Sequence, residues 1–148
     1  MVSKTISLMN LPQFCQETLK SLPEKSLILL SGEVGAGKTK FVECLLQAMG
    51  YDQVSSPTFT FHQEYLINKN AVHHFDLYRV ENGDDLEGIG FWDTLSEANG
   101  IVIVEWPEII SKKSLPNEYH ILNIKISRLP KSSNDDQRLY ELTLTPKN

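Results

Sequence analysis

The segment Gly32-Glu33-Val34-Gly35-Ala36-Gly37-Lys38-Thr39 constrains the fold more than any other stretch of the chain. It fits GxxxxGK[ST], the phosphate-binding loop (P-loop) that joins a buried strand to a helix. Its three glycines let the backbone wrap tightly and turn successive N–H groups inward. The helix that follows adds the positive end of its dipole. In such a loop Lys38 reaches the β- and γ-phosphates, and the Thr39 hydroxyl binds Mg²⁺. The flanks meet the requirements of the motif. Leu27-Ile28-Leu29-Leu30 is a continuous apolar run, as in a strand covered on both faces of a parallel sheet. Residues 38–49 hold no Pro or Gly. Phe41, Val42, Leu45, Leu46 and Met49 make an apolar stripe, and Gly50 supplies a C-terminal stop.

The rest of the chain extends this unit into an α/β fold. Asn10, Leu11, Pro12 and Gln13 read as a helix start, with Asn10 capping and Gln13 completing a capping box. Leu11, Phe14, Cys15, Thr18, Leu19 and Leu22 then recur at helical spacing. Residues 58–67, rich in aromatic and β-branched side chains, predict a strand. Asn68-Lys69-Asn70 predicts a hairpin turn and residues 71–76 a returning strand. Residues 80–100 read as short helical turns. Ile101-Val102-Ile103-Val104 is a second buried strand, and residues 119–127 and 139–145 are the arms of a terminal hairpin. The expectation is a single P-loop nucleotide-binding domain over residues 1–148. Its mixed sheet has a parallel core flanked by helices and antiparallel strands.

Bulk properties narrow the setting. The chain has 148 residues, the size of one ordinary domain. A formal net charge of −5 argues against a domain that grips a nucleic-acid backbone by itself, although it permits work on an RNA held by a partner. Cys15 and Cys44 lie far apart, without a CxxC, which reads as a reduced, cytoplasmic chain. No apolar run approaches the ~20 residues of a membrane span, and no signal-peptide core is present.

A phosphate loop needs acids to hold the metal's shell and orient water. Glu105 directly follows the apolar strand 101–104, and Asp76 ends Val72-His73-His74-Phe75. The carboxyl ends of parallel strands line one crevice, where the P-loop also sits, so both acids are candidates to meet Thr39. Ser56-Pro57-Thr58 lies where P-loop hydrolases keep a γ-phosphate-sensing Thr, though by position alone it is a turn feeding a strand. His62, His73, His74 and His120 lack zinc-ligand spacing. Asp85-Leu86-Glu87-Gly88 matches DxxG of GTPases, but no apolar strand precedes it. Asn68-Lys69-Asn70-Ala71 lacks the Asp that reads guanine, so adenine is favoured.

Four blocks, in order, carry a family resemblance over nearly the whole chain. They are the P-loop continued through Lys40-Phe41, then Ser56-Pro57-Thr58-Phe59, then His74-Phe75-Asp76-Leu77-Tyr78-Arg79, then Glu105-Trp106-Pro107-Glu108. The chain resembles TsaE, also called YjeE, a bacterial ATPase family of tRNA threonylcarbamoyladenosine synthesis. The resemblance implies that Lys38 and the loop from Gly32 to Lys40 bind ATP phosphates. It implies that Thr39 and Glu105 hold Mg²⁺, that Asp76 is a second essential acid, and that Ser56, Pro57 and Thr58 form a nucleotide-responsive switch. Trp106 would lie beside the nucleotide and Glu108 near the ribose. The implied partner is the TsaB–TsaD heterodimer, with tRNA met only through that complex and no membrane involved. TsaD transfers the threonylcarbamoyl group to the adenosine beside the anticodon; the ATP cycle supports turnover.

Two features depart from the family pattern. Lys40 stands where the family usually has Thr, and Gly88-Ile89-Gly90-Phe91-Trp92 lacks an acid the family more often has there. No arginine finger is evident, so intrinsic hydrolysis is expected to be slow and partner-stimulated. Two other readings stay open at this level. A P-loop small-molecule kinase would need an acceptor pocket and an Arg-bearing lid, and Lys112, Lys113, Lys125, Arg128 and Lys131 form no lid-like cluster. A nucleotide-switched binding module would bind ATP without hydrolysing it.

Overall fold

Leu27, Ile28, Leu29 and Leu30 are all at most 2% exposed, and they form the middle of β2 (Ser26–Ser31) in a computed structural model. The structure describes residues 1–51, 61–67, 70–130 and 136–147. β2 is flanked by two parallel neighbours, β5 (Ile101–Glu105) and β6 (His120–Arg128). β4 (Asn70–Asp76) adds to β5, again in parallel. β3 (His62–Ile67), β7 (Gln137–Thr145) and β1 (Val2–Ser7) join antiparallel, giving the order β1-β7-β6-β2-β5-β4-β3. The parallel core with antiparallel additions is the expected architecture.

The continuous apolar run of β2 divides between two cores because successive side chains point to opposite faces. Ile28 and Leu30 pack with α1 (Leu11–Ser21) and α2 (Lys38–Ala48), alongside Phe14, Phe41 and Tyr140. Leu27 and Leu29 pack on the other face with Phe91 and Leu95 of α4 (Phe91–Glu97) and with Leu86 of α3 (Asp85–Gly88). Cys15 and Cys44 are both buried and free, and burial pushes the Cys15 thiol up to about 12, so it packs as an apolar group. Among the described residues no helix is long and apolar enough to cross a membrane.

Two expectations change. α1 begins at Leu11, but the Asn10 side chain makes no capping bond. Instead the Asn10 N–H donates to Ser7 Oγ at 3.2 Å, and Gln13 Nε2 donates to Glu17 Oε1 at 3.3 Å, so no capping box forms. The helix start rests on Leu11, Phe14 and Cys15 finding the core. β1 was not expected at all. Its side chains are mostly exposed, and its place is set by pairing along the free edge of β7.

On the α4 face, His62 stacks on Phe75 (centroids 4.2 Å apart, planes 3° apart), and its Nε2 lies 2.8 Å from His73 Nδ1. Burial pushes both imidazoles below the usual histidine value; His73 and His74 depress His62 further, and Glu64 opposes the shift at both rings. As pH falls through the ordinary value near 6.5, the unfolded chain takes up these protons before the folded one does. Stability is therefore present above that pH and lost as pH drops toward the lower folded-state values. Thermal unfolding midpoints should fall across this window, and His73→Gln should flatten the profile.

Candidate functional site

The P-loop leaves β2 and folds back under three residues with positive φ: Gly32 (+149°), Gly35 (+80°) and Gly37 (+112°). Ala36 closes a turn by donating its N–H to the Glu33 carbonyl at 3.0 Å, and Phe41 N–H donates to the Gly37 carbonyl to open α2. Two arginines brace the loop from outside. Arg128 Nη2 donates to the Gly35 carbonyl at 3.1 Å, and Arg138 Nε donates to the Ala36 carbonyl at 3.0 Å. These arginines face each other across the β6–β7 ladder. With the Gly35 and Ala36 carbonyls taken by these arginines, the loop N–H groups beside them are left to bind an anion.

Lys38, at the start of α2, is 5% exposed. Its ammonium donates to the carbonyls of Gly32 (2.5 Å) and Glu33 (3.0 Å) and lies 4.0 Å from the centre of the Trp106 ring. Burial pushes it below the usual lysine value, while Glu105, Glu108 and Asp76 pull it back up. Those three acids thus share one electrostatic neighbourhood with the phosphate-loop lysine.

Sheet register brings the acids together. In the β4–β5 ladder Asp76 pairs with Glu105. Val72 and Ile103 belong to the α1–α2 core, and alternation places His74, Asp76 and Glu105 on that same face. Glu105 is 2% exposed. Its Oε1 accepts a hydrogen bond from Thr39 Oγ1 at 3.1 Å, and its Oε2 lies 2.6 Å from Nε2 of the equally buried His74. Burial raises the Asp76 carboxyl above its ordinary value, countered by the Tyr78 N–H that donates to Oδ1 at 3.1 Å. A cleft of about 290 Å³ is lined by Lys38, Thr39, Lys40, Asp76, Glu105 and Trp106, among others.

Trp106 ends β5 with φ +60°, a left-handed conformation that is costly for a bulky residue and recurs at functional sites. Its N–H is held by the Leu30 carbonyl at 3.1 Å, and its ring meets Tyr78 at 4.8 Å. Beyond Trp106 lies a second cleft of about 660 Å³, bounded by Gly32, Glu108, Lys125 and Arg128. Lys40 Nζ lies 3.9 Å from Glu43 Oε2 at the surface. The Arg79 guanidinium sits over the Phe61 ring at 4.9 Å.

The structure thus gathers the P-loop with Thr39, Asp76, Glu105 and Trp106 around one cleft, and sets Glu108 in the adjoining one. Ser56, Pro57 and Thr58 lie outside the described residues. Sequence reasoning assigned no role to His74, Arg128 or Arg138. For His74 a signal existed: two residues before Asp76 on a strand, it must share the acid's face.

The family model described as threonylcarbamoyl adenosine biosynthesis protein TsaE matches residues 6–138. The chain is 37% identical over 120 residues to the tRNA threonylcarbamoyladenosine biosynthesis protein TsaE of Bacillus subtilis, covering 80% of this chain and 68% of that one. It is 38% identical over 98 residues to the protein of that name from Haemophilus influenzae, covering 65% of this chain. The match spans about three fifths (61%) of the Haemophilus protein's length. The fold is similar to the crystal structure of Bacillus subtilis YdiB, with a TM-score of 0.64 and 24% identity, over 100% of this chain and 89% of that one. With most of its length inside the family model, the chain belongs to the TsaE family of tRNA threonylcarbamoyladenosine biosynthesis.

Proposed function

We propose that this chain is a magnesium-dependent ATPase that supports threonylcarbamoyladenosine modification of tRNA beside the anticodon, acting with a TsaB–TsaD heterodimer. The observation that carries the reading is the Glu105 carboxylate bound to Thr39 Oγ1 at the mouth of the P-loop, with Asp76 beside it. The donor set is a hydroxyl and two carboxylates, all hard oxygens, which fits Mg²⁺. Thr39 and Glu105 would hold it, and when bound it neutralises charge on the phosphates.

The remaining roles belong to the chain's own groups. Lys38 and the loop amides from Gly32 to Lys40 bind the phosphates. Asp76, whose carboxyl burial raises above its ordinary value, is in its ionised form a stronger base than a solvated carboxylate, suited to orient water and accept its proton. Trp106 borders both clefts, so its fluorescence should report nucleotide binding. Glu108 lines the second cleft, which supports assigning it to the ribose. Arg128 and Arg138 are engaged with the Gly35 and Ala36 carbonyls and brace the loop rather than the phosphates. Hydrolysis by the isolated chain should therefore be slow, and addition of the heterodimer should accelerate it.

The test is single-turnover ATP hydrolysis with and without the TsaB–TsaD pair, alongside Trp106 fluorescence titrations in Mg²⁺ or EDTA. The parent should bind more tightly with Mg²⁺ and turn over only with the heterodimer. Glu105→Ala should lose the magnesium dependence. ATP binding without hydrolysis in the assembled complex would make the chain a nucleotide-switched module instead.

A further inference from the structure

Glu105 is gripped at both oxygens, and only one grip belongs to the nucleotide site as proposed. Thr39 takes Oε1 at 3.1 Å; His74 takes Oε2 at 2.6 Å. Side-chain exposures of 1% and 2% leave the His74–Glu105 pair no solvent to replace a lost bond. Among the described residues His74 Nδ1 has no hydrogen-bond partner. A carboxylate oxygen can only accept, so Nε2 carries the proton and its N–H donates to Oε2.

This bond fixes the rotation of the carboxylate. With Oε2 tethered to β4, Oε1 has one direction left, toward Thr39 at the first turn of α2. Thr39 is exposed at the cleft and approaches from another element, so it cannot set the orientation alone. His74 and Glu105 sit on adjacent parallel strands of the rigid core, where register fixes their separation. Groups that hydrogen-bond a metal-holding carboxylate from behind set its aim, and their removal commonly weakens metal binding about 10- to 100-fold.

We propose that His74 is a positioning residue that aims Glu105 Oε1 at the Thr39 hydroxyl and so sets the magnesium affinity of the nucleotide site. The proposal rests on the reading that Thr39 and Glu105 hold Mg²⁺. It assigns His74 no contact with nucleotide or metal.

The discriminating variants are His74→Gln and His74→Asn. The Gln amide nitrogen lies three bonds from Cβ, as Nε2 does in His, so it keeps a donor near Oε2. The Asn amide is one bond shorter and falls at the Nδ1 position. With the full chain and fixed ATP, MgCl₂ is titrated and the half-saturating concentration read from Trp106 fluorescence. ATP affinity in EDTA is measured in parallel. His74→Asn should raise the half-saturating Mg²⁺ by about 10- to 100-fold, leave the EDTA affinity unchanged, and His74→Gln should restore the parent value. Equal impairment of both variants, or a parent-like His74→Asn, overturns the proposal. If His74→Asn does not fold, His74→Gln alone decides: a parent-like requirement supports the role and a raised one overturns it. A parent that binds ATP identically with and without Mg²⁺ overturns instead the metal reading on which the proposal stands.

Discussion

Replacing Lys38 with Ala is expected to weaken ATP binding by a factor on the order of 100, with the fold retained. The magnitude follows from what the ammonium would do in the cleft. A hydrogen bond to a charged group is worth about 1.5–3 kcal/mol, and the upper end of that range corresponds to roughly 150-fold. Lys38 is well prepared for phosphate. It is nearly buried, its ammonium is already held over the cleft by the Gly32 and Glu33 carbonyls, and Trp106 covers it. Burial pushes it below the usual lysine value, and an arriving polyphosphate would offset that desolvation. The variant should unfold near the parent temperature, because water in the cleft can replace the ammonium at the two carbonyls. Fluorescence titration of Lys38→Ala with ATP is the check; an affinity within a few-fold of the parent would count against the site.

How far the sequence speaks depends on whether a residue's role is local. Leu27-Ile28-Leu29-Leu30 was legible as a buried strand because each residue enters one of two cores, leaving no polar position to confuse the pattern. The P-loop was legible because its glycines, lysine and threonine act within eight consecutive residues. Glu105 and Asp76 were legible as strand-end acids, and register then made them partners. β1 was not legible, since a largely exposed edge strand is specified by its neighbour and not by its own burial. The capping box did not close because Ser7 Oγ accepts the Asn10 N–H that the Gln13 side chain was expected to hold. Arg128 and Arg138 reach the phosphate loop from 93 and 102 residues away, through an antiparallel register no local pattern encodes. His74 stands between these cases: its face could be counted from Asp76, but its partner on β5 could not.

The same cross-chain packing makes Gly32 the most demanding backbone position in the loop. A Cβ at Gly32 would lie 2.5 Å from the Ile126 carbonyl oxygen of β6. That oxygen belongs to β6 backbone one residue past the last β2–β6 pair, Ser31 with Lys125, where Ile126 pairs with Tyr140 of β7, so it cannot move without disturbing the core. The φ of +149° adds strain that glycine avoids, about 1–3 kcal/mol for another residue in so sparsely populated a conformation. Gly32→Ala must therefore push the loop away from β6. That shift would carry the Gly32 carbonyl off Lys38 and disturb the Arg128 and Arg138 braces on the neighbouring turn. Both readouts should fall together: a thermal midpoint several degrees below the parent, as ~1–3 kcal/mol implies for a domain of this size, and loss of measurable ATP binding. Gly88→Ala provides the matched control, because a Cβ there meets nothing within 4 Å and its φ is not left-handed. It should leave ATP binding intact, so a Gly32→Ala chain that behaved like it would show that the loop does not depend on its contact with β6.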